Sequence, residues 1–229
     1  MIQVRFKPDD RPLTEQLASY ARLVQNDEQS FNVIEVFARQ MTELFGSLAR
    51  VLDRESEHLS DEHIGWDLFL SQHVQLTDSV ERQLSDFVAL LREVLKAAEQ
   101  DERFLRRHRD SIAQLFLEGS LRVEFLESAE RGIEVEKRFV STLSFLDDVA
   151  KRSKSLVKDL RRLHDLLEAG KRDDKTLALL ESCRMRAEKL NEQCREVSVH
   201  IPGLRDMDAQ SARKLGMLAQ ATGFSAGRT

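Results

Sequence analysis

The sequence predicts an all-α protein, an elongated antiparallel bundle of three long coiled-coil-like helices plus a shorter fourth helix. The prolines are confined to Pro8, Pro12 and Pro202, so residues 13–201 contain none of them. Along this stretch apolar residues recur at alternating steps of three and four, which is the spacing of a helical seam. Charged residues make up 33% of the chain, as expected of long, solvated helices.

The first predicted helix spans residues 13–58. Its seam is interrupted only by Asp27, and further apolar residues flank the seam on the same face. One neighbouring helix does not cover a face this wide, and a contiguous exposed apolar patch usually marks an interface. The sequence therefore predicts a homodimer or a helical protein partner on this face. The expected contact residues are Phe31, Phe37, Leu44, Phe45 and Val51.

The second and third predicted helices span residues 61–118 and 121–169. Gly119 and Gly170 each follow a long periodic segment, which is where glycine commonly ends a helix. Polar residues interrupt the second seam at His73 and His108, among others. A histidine in a seam is more often a packed, hydrogen-bonded core residue than a ligand.

The two ends of the chain are predicted to differ from its centre. A fourth helix is expected over 174–199, followed by a turn at 201–203, a short helix near 209–219 and a loose tail. Residues 1–12 form an extended segment whose alternating apolar residues resemble a strand, although an ordered or frayed tail is the favoured interpretation. The predicted domains are thus 1–12, a bundle over 13–200, and 201–229.

The charge pattern bears on binding partners. The net charge of −5 argues against a nucleic acid partner. Lys151, Lys154, Lys158 and Arg161 form one helical stripe, a candidate contact for the phosphates of a lipid surface. A salt-bridged, solvated face is the favoured alternative. A fold-back at Gly119 places Lys158 and Arg161 opposite Asp78 and Glu81 and would neutralise part of the stripe.

Motifs of catalysis are lacking in the sequence, which has no nucleotide-binding glycine loop, no nucleophile elbow and no zinc-type cysteine spacing. Glu55 and His58 form Glu-x-x-His within a polar cluster that extends to His63, but a di-metal bundle needs a second such motif and two more glutamates. We therefore expect no enzyme activity, no metal, no cofactor and no small-molecule substrate.

Cysteine usage and hydropathy indicate a location. Cys183 and Cys194 would lie ~16 Å apart along one helix, too far for a disulfide, so both are expected to be buried thiols in a reducing compartment. The apolar runs are too short to span a bilayer. A cytoplasmic protein is the expectation.

The leading functional hypothesis from these residues is a non-enzymatic scaffold or adaptor that acts by helix–helix interaction and self-association. One alternative is a membrane-surface or curvature-binding module, which resembles BAR-like modules in architecture alone. A second alternative is a metal-linked regulatory bundle that resembles PhoU-type proteins in outline and depends on the 55–63 cluster.

Overall fold

A computed structural model describes residues 12–25, 28–58 and 66–226. These ranges are helical apart from short connections and contain no strand, so the all-α bundle class is confirmed. Of the predicted N-terminal segment 1–12, only residue 12 is among the described residues. Asp27 lies outside them as well. The helices are α1 (Leu13–Gln25), α2 (Glu28–His58), α3 (Trp66–Ala113), α4 (Gly119–Glu168) and α5 (Asp174–Ala226).

The chain forms two compact units. Of the described residues, unit 1 comprises 12–25, 28–33, 94–142 and 200–226, and unit 2 comprises 34–58, 66–93 and 143–199. Unit 1 thus contains α1, the first residues of α2, the end of α3, the first half of α4 and the last half of α5. Unit 2 contains most of α2, the first part of α3, the second half of α4 and the start of α5. The part of α5 from residue 200 to residue 226 lies in unit 1.

The core of unit 1 is organised around Tyr20 of α1. Its ring meets Phe125 of α4 edge-on, with 5.6 Å between ring centroids, and its hydroxyl donates a 2.9 Å hydrogen bond to the Leu105 carbonyl of α3. Gly132 of α4 permits close approach, because a Cβ there would lie 3.4 Å from a methyl of Val24. One aromatic side chain of α1 therefore joins the helices of this core and has its polar atom satisfied.

We expect the single tyrosine to resist ionisation in the folded protein. Burial raises the pKa of Tyr20 well above its ordinary value of 10.0, and Arg109 only partly opposes this rise. Because the folded pKa is raised, this contribution to stability is complete below about pH 10 and is lost as the pH rises further. Near-ultraviolet absorbance reports the tyrosinate of this residue alone. Its appearance should coincide with loss of helical circular dichroism, and titration near pH 10 in a fully helical protein would contradict the buried placement.

The core of unit 2 confirms the predicted apolar seam of α2. Phe37, beside this seam, stacks face to face on Phe87 of α3. Asn191 of α5 donates to the Thr42 carbonyl of α2 and crosses beside Gly46. The seam residues of this unit are all buried: Ile34, Ala38, Met41, Phe45, Leu48 and Leu52.

The fourth long helix was predicted too short. Helix α5 spans 53 residues and is the longest in the described ranges, with Pro202 inside it where the sequence predicted a turn. A proline inside a helix costs about 3 kcal/mol. Ile201 and Leu204 are buried beside it, and burial of each such side chain contributes about 1.5–3 kcal/mol. Tertiary packing therefore carries the helix through the proline, and the expected short helix at 209–219 is part of α5.

The two predicted glycine stops have different outcomes. Gly170 has φ 69°, and the amides of Gly170 and Lys171 donate to Leu167 and Leu166, which is the bonding pattern of a Schellman cap. Gly119, by contrast, begins α4, because α3 ends at Ala113. Phe116 is buried in the core of unit 1, and this burial draws the chain away from the helical path predicted to continue to 118.

Candidate functional site

The apolar face predicted as an interface is covered by the chain itself. Phe31 and Phe45 are completely buried, Phe37 and Val51 are nearly so, and Leu44 is half-buried. Phe31 packs on Phe139 within unit 1, as Phe37 does on Phe87 within unit 2. The width of the stripe was identified correctly from the sequence. Its interpretation as an exposed interface was wrong, because several helices of the same chain share this face.

Exposed large apolar side chains are spread over several helices of the described residues, and three of them lie close together in the sequence where α3 turns into α4 in unit 1. Leu117 is fully exposed, and Leu115 and Val123 are about half exposed. Between them, Phe116 points into the core and anchors the turn. This surface was not predicted from the sequence, because the second predicted helix continues to residue 118 and leaves no turn at these residues.

The basic stripe on α4 is only partly neutralised. Lys151 pairs with Asp147 at 2.8 Å and with Asp148 at 3.1 Å. Arg161 reaches across to α3 and pairs with Asp78 at 3.2 Å and with Glu81, as the fold-back register predicted. Lys154 and Lys158 are exposed, and neither forms an ion pair with any other residue that the structure describes.

Two adjoining recesses lie between α3 and α4 in unit 2, and Arg161 lines both. We call them the lysine recess, of about 300 Å³, and the histidine recess, of about 360 Å³. The lysine recess is lined by Glu81, Leu84, Ser85, Lys154, Val157, Lys158 and Arg161. The histidine recess is lined by His73, Val74, Thr77, Asp78, Leu160, Arg161, His164 and Asp165.

A buried polar pair lies behind the histidine recess. Glu55 of α2 and His73 of α3 are 0% and 1% exposed, and His73 Nδ1 is 3.3 Å from the Glu55 carboxyl oxygens. On its other side, His73 Nε2 donates to the Leu160 carbonyl at 3.0 Å. A carbonyl only accepts, so the Nδ1–carboxyl contact must carry a second proton, on the ring or on Glu55. The expectation of a hydrogen-bonded seam histidine is confirmed at His73.

This pair also changes the interpretation of the predicted metal cluster. Glu55 contacts His73, so it is not available to the Glu-x-x-His pattern with His58. The side chain of His58 and residues 59–65 lie outside the described part of the chain. Within the part that is described, no group of three or more histidine, cysteine or acidic residues is placed to hold a metal ion.

The cysteines have the buried character that the sequence predicted. Cys183 and Cys194 are both free and buried. Burial raises the pKa of each thiol to about 12, and Asp159 adds to this effect at Cys183. Because the reactive form of cysteine is the thiolate, neither side chain is prepared to act as a nucleophile.

Among the described helices, none combines the length and apolar character needed to cross a bilayer. The chain was also compared with protein-family models, with curated proteins and with solved structures, and none of them matches it.

Proposed function

We propose that the chain is a non-enzymatic helical scaffold that self-associates through the turn between α3 and α4. The observation that carries the proposal is the exposed trio Leu115, Leu117 and Val123, three apolar side chains within nine residues of one another. Contiguous exposed apolar surface costs solubility and usually marks an interface. Phe116, buried between the two leucines, anchors the turn to the core of unit 1.

A second copy of the chain is the partner that the surrounding charges favour. Glu118, Arg122 and Glu124 are all exposed in the same stretch, so both signs of charge flank the trio. A twofold interface brings the same patch of each copy together and must therefore be self-complementary. Arg122 of each copy can face an acidic residue of the other while the apolar side chains meet at the centre.

The small size of this surface implies a weak, reversible dimer. Stable interfaces bury about 800 Å² on each partner, more than three side chains supply. We therefore expect dissociation constants in the range of about 10–1,000 μM. Association this weak suits a scaffold that is assembled at high local concentration.

The first test is sedimentation equilibrium of a Leu117→Glu variant. The wild-type protein should show a monomer–dimer equilibrium, and the variant should remain monomeric because a charge replaces the central apolar contact. Leu117 makes no core contact, so helical content and unfolding midpoint should stay unchanged. The matched control is Met185→Glu on α5 in unit 2, where the native side chain is 58% exposed. A monomeric wild-type protein across the whole range, or equal loss in both variants, contradicts the proposal.

The proposal includes antiparallel, coiled-coil-like packing of α3 on α4 and a cytoplasmic location. Ion pairs between Arg109 and Glu130 in unit 1, and between Arg161 and Asp78 in unit 2, support an antiparallel register. The free, buried thiols of Cys183 and Cys194 support a reducing compartment.

The two alternatives receive less support from the geometry. A curvature-binding surface needs an unpaired basic face, and two of the four cations in the stripe, Lys151 and Arg161, are paired with carboxylates. A metal-linked bundle needs Glu55, which contacts His73.

A further inference from the structure

The lysine and histidine recesses together form a groove whose two ends differ in chemistry: one end is lined by basic side chains and the other by uncharged polar and acidic ones. At one end, Lys154 and Lys158 have no carboxylate partner in the described part of the chain, and Glu81 is shared with Arg161. Arg161 is paired with Glu81 and with Asp78, so the uncompensated charges of the lysine recess are the ammonium groups of Lys154 and Lys158. Its floor is apolar, because Leu84 and Val157 are buried there. A recess of this kind attracts a small anion.

The other end of the groove contains buried polar atoms that lack partners. Thr77 is 3% exposed, and its hydroxyl forms no hydrogen bond within the described residues. The Nδ1 atom of His164 is also buried and has no partner there, although the side chain is 25% exposed and its Nε2 lies 3.8 Å from a carboxyl oxygen of Glu168. Both residues line the histidine recess. A buried polar group without a partner costs about 1–3 kcal/mol, so the Thr77 hydroxyl and the His164 Nδ1 atom need a partner from outside the protein, which the recess has room to hold.

The carboxylates beside these atoms indicate what kind of ligand fits. Asp78 and Asp165 line the histidine recess and accept hydrogen bonds. Arg161, held by Asp78 and Glu81, stands between the two recesses with further N–H donors available. The histidine recess offers acceptors and a hydroxyl, which suit the hydroxyl groups of a ligand. The lysine recess offers ammonium groups, which suit a phosphate. Together they match a molecule that carries hydroxyl groups and one phosphate. Each recess has the volume of a small-ligand site, for which about 300 Å³ is the lower bound.

We propose that the groove between α3 and α4 in unit 2 binds a phosphorylated polyol. The phosphate lies between Lys154 and Lys158 and accepts from Arg161. The hydroxyl groups lie in the histidine recess, where they bond Thr77, His164 and the two aspartates. The shared chemistry is a polyol phosphate, which exists both as a free metabolite and as the headgroup of an inositol lipid. The site lies in unit 2, and its occupancy does not depend on self-association through the α3–α4 turn of unit 1.

Calorimetric titration of the full chain tests the proposal with inositol monophosphate, inorganic phosphate and unphosphorylated inositol as probes. Inositol monophosphate should bind at least about tenfold more tightly than either of the others, because only it engages both recesses. Lys158→Ala should weaken its binding about tenfold through loss of a charge-assisted contact. The matched control is Lys151→Ala, which removes an equal charge from the same stripe outside both recesses and should leave affinity within about twofold.

Thr77→Val separates binding from packing. The variant keeps the shape of the side chain and removes a hydroxyl that has no partner, so the unliganded protein should be as stable as wild type or more stable. Its affinity for inositol monophosphate should fall while its affinity for inorganic phosphate stays the same. A residue with a purely structural role would change stability and leave both affinities alone.

Vesicles identify the source of the ligand. Phosphatidylcholine vesicles with and without phosphatidylinositol monophosphate are sedimented with the protein. Binding to the doped vesicles that is lost in Lys158→Ala supports the site with a lipid headgroup as its ligand, and binding of the soluble probe alone supports it with a free metabolite. Absence of binding to every probe, or equal losses in Lys151→Ala and Lys158→Ala, overturns the proposal.

Discussion

Replacement of Glu55 by leucine should lower the free energy of unfolding by about 3–5 kcal/mol, because it removes one member of a completely buried polar pair. The remaining partner, His73, would keep its Nε2 bond to the Leu160 carbonyl but would face an apolar group at Nδ1. Urea denaturation followed by circular dichroism measures the loss.

The double variant Glu55→Leu with His73→Leu is the control for this first prediction. Two apolar groups replace the pair, and the Leu160 carbonyl lies inside α4, where the helix supplies a backbone donor. Removing both members of a buried pair is often close to neutral, so most of the stability should return. A single variant that loses less than about 1 kcal/mol would show that the two side chains do not form a buried pair.

The second large effect is expected at Phe37. Truncation to alanine should cost about 3–5 kcal/mol, because the ring is 8% exposed and stacks on Phe87 in the core of unit 2. The same urea titration provides the measurement.

Val36→Ala is the matched control for Phe37→Ala. It is the preceding residue of α2 and is 52% exposed, so its truncation should change stability by less than about 0.5 kcal/mol. If Phe37→Ala left stability unchanged and altered the association state, the face would be an interface after all and the buried placement would be wrong.

The sequence predicted those features that depend on local periodicity. Steps of three and four identified the residues that α2 buries, such as Met41 and Phe45, because a helix fixes which side chains share a face. Charge complementarity about a fold-back near Gly119 predicted the pairing of Arg161 with Asp78. The Schellman cap at Gly170 also followed from local chemistry, since glycine adopts positive φ without strain.

The errors occurred where tertiary contacts override local preference. Pro202 reads as a helix stop, yet the burial of Ile201 and Leu204 continues α5 through it. Leu115 fits the heptad pattern, yet burial of Phe116 ends α3 before it and leaves Leu115 at the surface. In both cases the burial of a neighbouring apolar side chain determines the path of the backbone. Periodicity alone does not show which of two neighbouring apolar residues is buried in the core.

The candidate binding groove was only half visible in the sequence. Lys154 and Lys158 were identified because they share a helical stripe. Thr77 and His164 were not identified, because they belong to different helices and are 87 positions apart in the sequence. Their lack of hydrogen-bond partners is a property of the packed state, and no residue spacing encodes it.

Disulfide trapping tests the proposed scaffold most directly. Both natural cysteines are buried, so a Leu117→Cys variant places an accessible thiol at the exposed turn, and Met185→Cys serves as the control on α5. If two copies meet at the turn around a twofold axis, mild oxidation should convert Leu117→Cys into a covalent dimer much faster than Met185→Cys at the same concentration. Equal rates for the two variants would contradict self-association through this turn.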